Sequence, residues 1–81
     1  PVFVEMAKAF SRRIMKETSE MDKTQQLDHA FRLALSRSPG SRELEALKKI
    51  YFTALDTDGS SESAWFEIAT TILNLHETIT K

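Results

Sequence analysis

Apolar side chains recur every three or four residues along almost the whole chain, and this spacing constrains the fold more than any other feature. Such a period places the apolar side chains on one face of an α-helix. Only two glycines and two prolines interrupt the 81 residues, and no stretch shows the alternation that marks a β-strand. The sequence therefore predicts an all-α fold, a small antiparallel bundle of four helices with short polar joints.

The first two predicted helices are separated by a polar joint. The first helix covers about residues 2–18. Asp22 and Gln25 have the spacing of a capping box at the start of the second helix. That helix is expected to end at residues 36–38, because Pro39 disfavours the helical conformation in the residue before it.

The third helix is predicted to begin at Gly40 or Ser41, and the fourth at Ser60 or Ser61. Residues 56–61 are predicted to form the longest polar joint. Each helix carries one apolar face for the core. These faces are Phe3, Met6, Ala7, Phe10 and Ile14; Leu27, Ala30, Phe31, Ala34 and Leu35; Leu44, Leu47, Ile50, Tyr51, Ala54 and Leu55; and Trp65, Ile68, Ala69, Ile72, Leu73, His76 and Ile79.

Length and composition exclude several classes of protein. A chain of 81 residues forms at most one domain. The net charge of −1 shows no basic excess of the kind that nucleic-acid binding requires. No apolar run approaches the ~18 residues of a membrane span. The absence of cysteine excludes disulfides, thiolate metal sites and covalent haem attachment within the chain.

The chain begins at Pro1 and ends abruptly at Lys81. We interpret residues 1–81 as a single helical domain from the C-terminal part of a larger protein. Its expected partners are the upstream domains of that protein, and we expect the isolated segment to be a monomer. The segment itself says nothing of the compartment.

The joint before the fourth helix is the sharpest candidate for a metal site. With Asp56 as the first position of a calcium loop, Asp58 is third, Ser60 fifth and Glu67 twelfth, which is the EF-hand spacing of oxygen ligands. The sixth position, however, is Ser61, where the sharp turn requires glycine. A solvated turn is therefore favoured over calcium. A calcium-binding or small-ligand-binding module using residues 56–67 remains the alternative function.

No arrangement of residues in the sequence predicts catalysis or a bound cofactor. His29 lies off the apolar face of its helix, and His76 has no carboxylate three or four positions away. Serines and threonines cluster at helix caps and joints, where their hydroxyls bind backbone groups. There is no glycine-rich phosphate loop and no nucleophile elbow. We therefore expect a protein that is not an enzyme.

Some apolar side chains lie off the predicted core faces and suggest a docking surface. Trp65 and Phe66 are adjacent, so they cannot both point into the core. In a domain taken from a larger protein, surplus apolar residues often mark a missing contact surface. Docking is therefore the favoured function, and the side chains expected to serve it are Val2, Val4, Met15, Leu33 and Leu75.

Three stretches of the chain together resemble one known family. They are PVFVE at residues 1–5, LSRSP at 35–39 followed by Glu43 and Leu44, and ILNLHE at 72–77 with Trp65 upstream. Together they resemble the C-terminal part of a planctomycete-specific domain of unknown function that accompanies cytochrome-c-like domains. The resemblance covers nearly all 81 residues and is strongest from Leu27 to Glu77.

The matching motifs place five residues in structural roles: Arg37, Pro39, Glu43, Asn74 and Glu77. We expect Arg37 to form an ion pair with Glu43 or Glu77, or to bind carbonyls at the joint. Asn74 is expected to bind nearby backbone, and a ligand site at this corner is the alternative.

Two departures from the family pattern matter. Gly40 stands where the family usually has a capping threonine, and Thr78 stands where it usually has an aromatic residue. The resemblance implies an exported or cell-surface-associated parent protein with haem-binding domains elsewhere. The haem motif C-x-x-C-H is absent from these residues, so a redox function is not transferred to this chain.

Overall fold

Four α-helices make up the fold. The computed structural model describes the backbone of residues 2–80 and the side chains of residues 4–75. The helices are α1 (Val2–Glu17), α2 (Lys23–Leu35), α3 (Ser41–Asp58) and α4 (Ser61–Thr80). No strand occurs between residues 2 and 80, so the predicted all-α bundle of four helices is confirmed. Within the same residues, no helix is both long and apolar enough to cross a membrane.

The last helix, α4, is the centre of the bundle. Both α2 and α4 contact the three other helices, but α1 and α3 each pack chiefly on α4 and not on each other. Helices α1 and α4 run in opposite directions, because Met15 borders the same groove as Glu62 while Met6 borders another with Leu73. The central position of α4 explains why its buried face is wide: Ala64, Trp65, Ile68, Ala69 and Ile72.

The core is built from the predicted faces of all four helices. Burial of each large apolar side chain contributes about 1.5–3 kcal/mol relative to exposure, and a chain this short needs nearly all of them. Phe3, His76 and Ile79 lie outside the described side chains. The large buried apolar side chains are Ile14, Leu27, Phe31, Leu47, Tyr51, Trp65, Ile68 and Ile72, and Phe10, Ala34, Leu35, Leu44, Ile50 and Leu55 pack against them partly buried.

The prediction that Met6 belongs to the core is wrong, because its side chain is 52% exposed. Helix α1 instead turns a face of small and medium residues inward, with Ala7, Ser11, Ile14 and Thr18 all buried. Met6 lies about 100° around the helix from Ala7 and falls at the edge of the contact.

A buried hydrogen-bond network joins the end of α1 to α2. The Thr18 hydroxyl donates to the Ile14 carbonyl at 2.6 Å. The Gln26 amide nitrogen donates to both the carbonyl and the hydroxyl oxygen of Thr18, each at 3.0 Å. Gln26 and Thr18 are both buried, so these bonds replace water that neither side chain can reach.

Lys23, the first residue of α2, extends this network to α3 and α4. Its ammonium donates to the Gln26 amide oxygen at 2.9 Å and to the Tyr51 hydroxyl at 3.0 Å. It also lies over the rings of Tyr51 and Trp65, 4.2 and 5.1 Å from their centroids. Cation–π attraction therefore adds to the hydrogen bonds, and one ammonium links three helices.

The joint after α2 agrees with the prediction, whereas the joint after α3 does not. Helix α2 ends at Leu35, where Ser36 takes the left-handed conformation at φ 59°. Helix α3 continues to Asp58 and ends at Gly59, at φ 69°. Residues 56–61 are therefore not a long loop, and only Gly59 and Ser60 separate α3 from α4.

We predict that Ser36→Gly raises the free energy of unfolding. A left-handed conformation costs an L-residue about 1–2 kcal/mol, and glycine avoids this cost. The greater conformational entropy of glycine in the unfolded chain, however, lowers the free energy of unfolding by about 0.4–1 kcal/mol. The expected gain is about 0.5–1 kcal/mol, measured by urea denaturation. Ser38→Gly is the control, because Ser38 is not left-handed, and it should be neutral or destabilising. Equal effects of the two would contradict the prediction.

We predict that Gln26→Leu lowers the free energy of unfolding by about 1–3 kcal/mol. The leucine removes the donor to Thr18 and the acceptor of Lys23, and it leaves buried polar groups without their partner. Thr24→Ala, an exposed change on the same helix, should stay within about 0.5 kcal/mol. Urea denaturation followed by circular dichroism separates the two, and a Gln26→Leu variant as stable as the parent would remove the proposed role.

Candidate functional site

The corner between α2 and α3 is organised by Arg37 and Glu43. The guanidinium donates to both carboxylate oxygens of Glu43, at 3.0 and 2.9 Å, and to the carbonyl of Ser38 at 3.3 Å. This is the ion pair expected for Arg37. Its Cζ atom also lies 4.9 Å from the ring centroid of the buried Phe31, so the same side chain covers the core.

Glu43 in turn fixes the start of α3. Its Oε1 accepts the Gly40 backbone N–H at 2.8 Å, which is one half of a capping box. Gly40 has no side chain with which to cap α3, so the other half is missing. The side-chain hydrogen bond that a capping threonine would provide is therefore absent at the start of α3.

Hydrogen bonds from Arg37 and from the Gly40 N–H lower the pKa of the Glu43 carboxyl to about 2. The same pair raises the pKa of Arg37. The two side chains are 48% and 36% exposed, so water and salt compete with the pair and its contribution to stability is modest.

The remaining motif residues are Pro39, Asn74 and Glu77. Pro39 lies half-buried in the joint between α2 and α3, and Asn74 lies exposed on α4. The side chain of Glu77 lies outside the described residues, so its predicted pairing is open.

The four residues of the calcium frame do not form a loop. Asp56 and Asp58 belong to the last turn of α3, and Glu67 lies within α4. The Ser60 hydroxyl accepts the Ser63 backbone N–H at 3.3 Å and so caps α4. An EF-hand needs its ligands on twelve consecutive loop residues, and helices occupy most of that span. Among the described side chains, no three histidines or carboxylates are grouped to hold a metal ion.

Two surface grooves bring together residues from different helices. We call the first the α1–α4 groove; it is bordered by Lys8, Ser11, Arg12, Met15, Asp58, Glu62, Ser63, Phe66 and Glu67. We call the second the α2 groove; it is bordered by Met21, Thr24, Gln25, Asp28, His29, Arg32, Leu33, Ser36 and Leu44.

The apolar residues expected to form one docking surface lie in different places. Leu33 borders the α2 groove, and Met15 packs partly buried against the core beside the α1–α4 groove. Val4 and Leu75 are exposed but border neither groove. The side chain of Val2 lies outside the described residues. Of the adjacent aromatics, Trp65 is buried and Phe66 is half-buried.

The contact between His29 and Glu17 was not predicted from the sequence. His29, expected on the surface, is half-buried and lies with its Nε2 3.0 Å from Glu17 Oε1. Glu17 also accepts from Arg13 at 2.9 Å, and hydrogen bonds from His29 and then Arg13 lower its pKa. The contact between Glu17 and His29 crosses from α1 to α2, which no spacing along one helix could reveal.

Comparison of the chain with family models, with curated proteins and with solved structures finds no match. The resemblance to the planctomycete domain therefore stays a prediction from its motifs. Function has to be inferred from the chain's own side chains.

We predict that Glu43→Gln lowers the midpoint of thermal unfolding by roughly 2–5 °C at neutral pH. The folded pKa of about 2 lies below the ordinary 4.5, so the stabilisation is complete above pH 4.5 and is lost as the pH falls toward 2. The difference between parent and variant, followed by circular dichroism, should shrink over this window.

Arg37→Ala should have a similar effect at neutral pH, because it removes the same pair and the cover over Phe31. Arg42→Ala is the matched control, since Arg42 is exposed on α3 and forms none of the ion pairs seen among the described side chains. Full stability of Arg37→Ala would contradict a structural role for this residue.

Proposed function

We propose that the chain is a non-catalytic helical docking module, and that the α2 groove is its contact surface. The observation that carries this proposal is the placement of Met21, Leu33 and Leu44 along one groove. Met21 and Leu33 are 40% and 36% exposed, although the fold buries or half-buries most of its other described large apolar side chains. Apolar side chains gathered on a surface and rimmed by polar ones are typical of a protein interaction site.

The composition of the groove favours a helix as the bound element. Most of the residues that border the groove lie on the outer side of α2. A second helix can pack its own apolar side chains along this side. Asp28 and Arg32 lie on the rim as an ion pair at 3.6 Å. Rim charges of both signs add little affinity but select the register and direction of a partner.

The partner in this proposal is an amphipathic helix from the upstream part of the same parent protein. The family resemblance supports this choice, because it implies a C-terminal piece of a longer, exported or cell-surface-associated protein. The polar residues also fit a module without chemistry of its own. The hydroxyls of Ser11, Thr18 and Ser60 bind backbone groups of their own helices, as structural hydroxyls do.

The proposal predicts that the double variant Met21→Ser, Leu33→Ser binds the upstream region of the parent protein at least about tenfold more weakly than the unmodified chain. Both side chains are exposed, so the variant should keep its stability within about 1 kcal/mol. Isothermal titration with the separately expressed upstream region measures the affinity.

Leu75→Ser is the control, because Leu75 is as exposed as Leu33 and lies outside the α2 groove. Its affinity should stay within about twofold of the unmodified chain. Loss of binding in the control, or an upstream region that does not bind the unmodified chain, would refute the proposed docking surface.

A further inference from the structure

The α1–α4 groove has walls of opposite charge. The wall on α1 carries the cations Lys8 and Arg12, and the opposite wall carries the carboxylates Asp58, Glu62 and Glu67. We call them the cationic wall and the acidic wall. The acidic wall comes from the end of α3 and the first turns of α4, so the separation of charge exists only in the folded chain.

No ion pair joins the two walls within the described side chains. The four ion pairs seen there lie elsewhere and use other residues. Charges held apart across a groove remain available to a molecule that carries both signs.

Asp58 breaks a local rule at this groove. It is the last residue of α3, and the last turn of α3 contains no basic residue. A carboxylate at a helix C-terminus is disfavoured by the helix dipole, and Glu62 and Glu67 add like charge from the same wall. A cation bound beside Asp58 would relieve both effects. Departures from local preference that lack a structural gain often mark functional sites.

Two of the side chains that border the groove, Met15 and Phe66, are apolar and half-buried. Ser11 borders the same groove and is only 4% exposed. The groove has a volume of about 540 Å³, within the roughly 300–1,000 Å³ of small-molecule sites. A short methylene stem can contact Met15 and Phe66 while its two charged ends reach the cationic and acidic walls.

We infer that the α1–α4 groove binds a small zwitterion of the ω-amino-acid type, with an ammonium and a carboxylate at opposite ends of an apolar stem. The ammonium of the ligand donates hydrogen bonds to carboxylate oxygens of the acidic wall. The carboxylate of the ligand is bound by Arg12, whose planar guanidinium suits two oxygens, and by Lys8. This site is independent of the proposed docking at the α2 groove.

The test is a titration of the ¹⁵N-labelled chain with ε-aminocaproate, followed by the amide shifts of Ser11, Arg12, Ser63 and Phe66. We expect saturable shifts with a dissociation constant on the order of 1 mM. Caproate and hexylamine each match one end of this probe, and each should bind at least about fivefold more weakly. Equal binding of all three compounds, or shifts that do not saturate, would overturn the inference.

Charge-removing variants locate the site. Arg12→Gln and Glu67→Gln should each weaken ε-aminocaproate binding at least about fivefold. Lys16→Gln and Glu45→Gln, exposed and outside the groove, should leave it within about twofold. All four positions are exposed, so the variants keep the fold. Equal losses from the groove variants and the controls would show unspecific charge attraction and refute the site.

Discussion

The burial of the Trp65 indole against Tyr51 and the Lys23 ammonium is the contact on which the bundle depends. The two rings lie 5.1 Å apart, and Lys23 binds both. One cluster thus joins α2, α3 and α4, and α4 carries α1 on its other side. A chain of 81 residues has little apolar surface in reserve. Polar contacts therefore add to the stability of the start of α2. They stabilise it only when every hydrogen-bond partner is in place.

The two proposed binding surfaces lie on the outside of the bundle: one on the outer side of α2, the other between α1 and the first turns of α4. The α2 groove offers apolar side chains with a charged rim, which suits a helix. The α1–α4 groove offers charges of both signs beside the half-buried Met15 and Phe66, which suits the proposed small zwitterion. The Arg37–Glu43 corner differs from both, since its side chains bind each other, the Gly40 N–H and the face of Phe31. Its contacts stabilise the joint between α2 and α3.

Much of the fold could be predicted from the sequence, and the errors have physical causes. The Asp22–Gln25 capping box, the end of α2 near Pro39 and the ion pair of Arg37 all depend on residues close in the chain. The prediction for residues 56–61 was wrong. Asp56 and Asp58 are typical of loops, yet both lie in the last turn of α3, which ends at Gly59. Met6 was misplaced because the periodicity shows an apolar face but not how closely the neighbouring helix approaches.

The four helices, several of their caps and most of the core faces could be predicted from local sequence alone. Those features arise from interactions within a few residues, and such interactions have the same geometry wherever the helix lies. The packing of the helices on one another makes α4 central, brings Lys23 to Tyr51 and Trp65, and places Lys8 and Arg12 on the same groove as Asp58 and Glu67. These contacts join residues far apart in the chain. They follow from how the side chains of whole helices pack together, which no local spacing records.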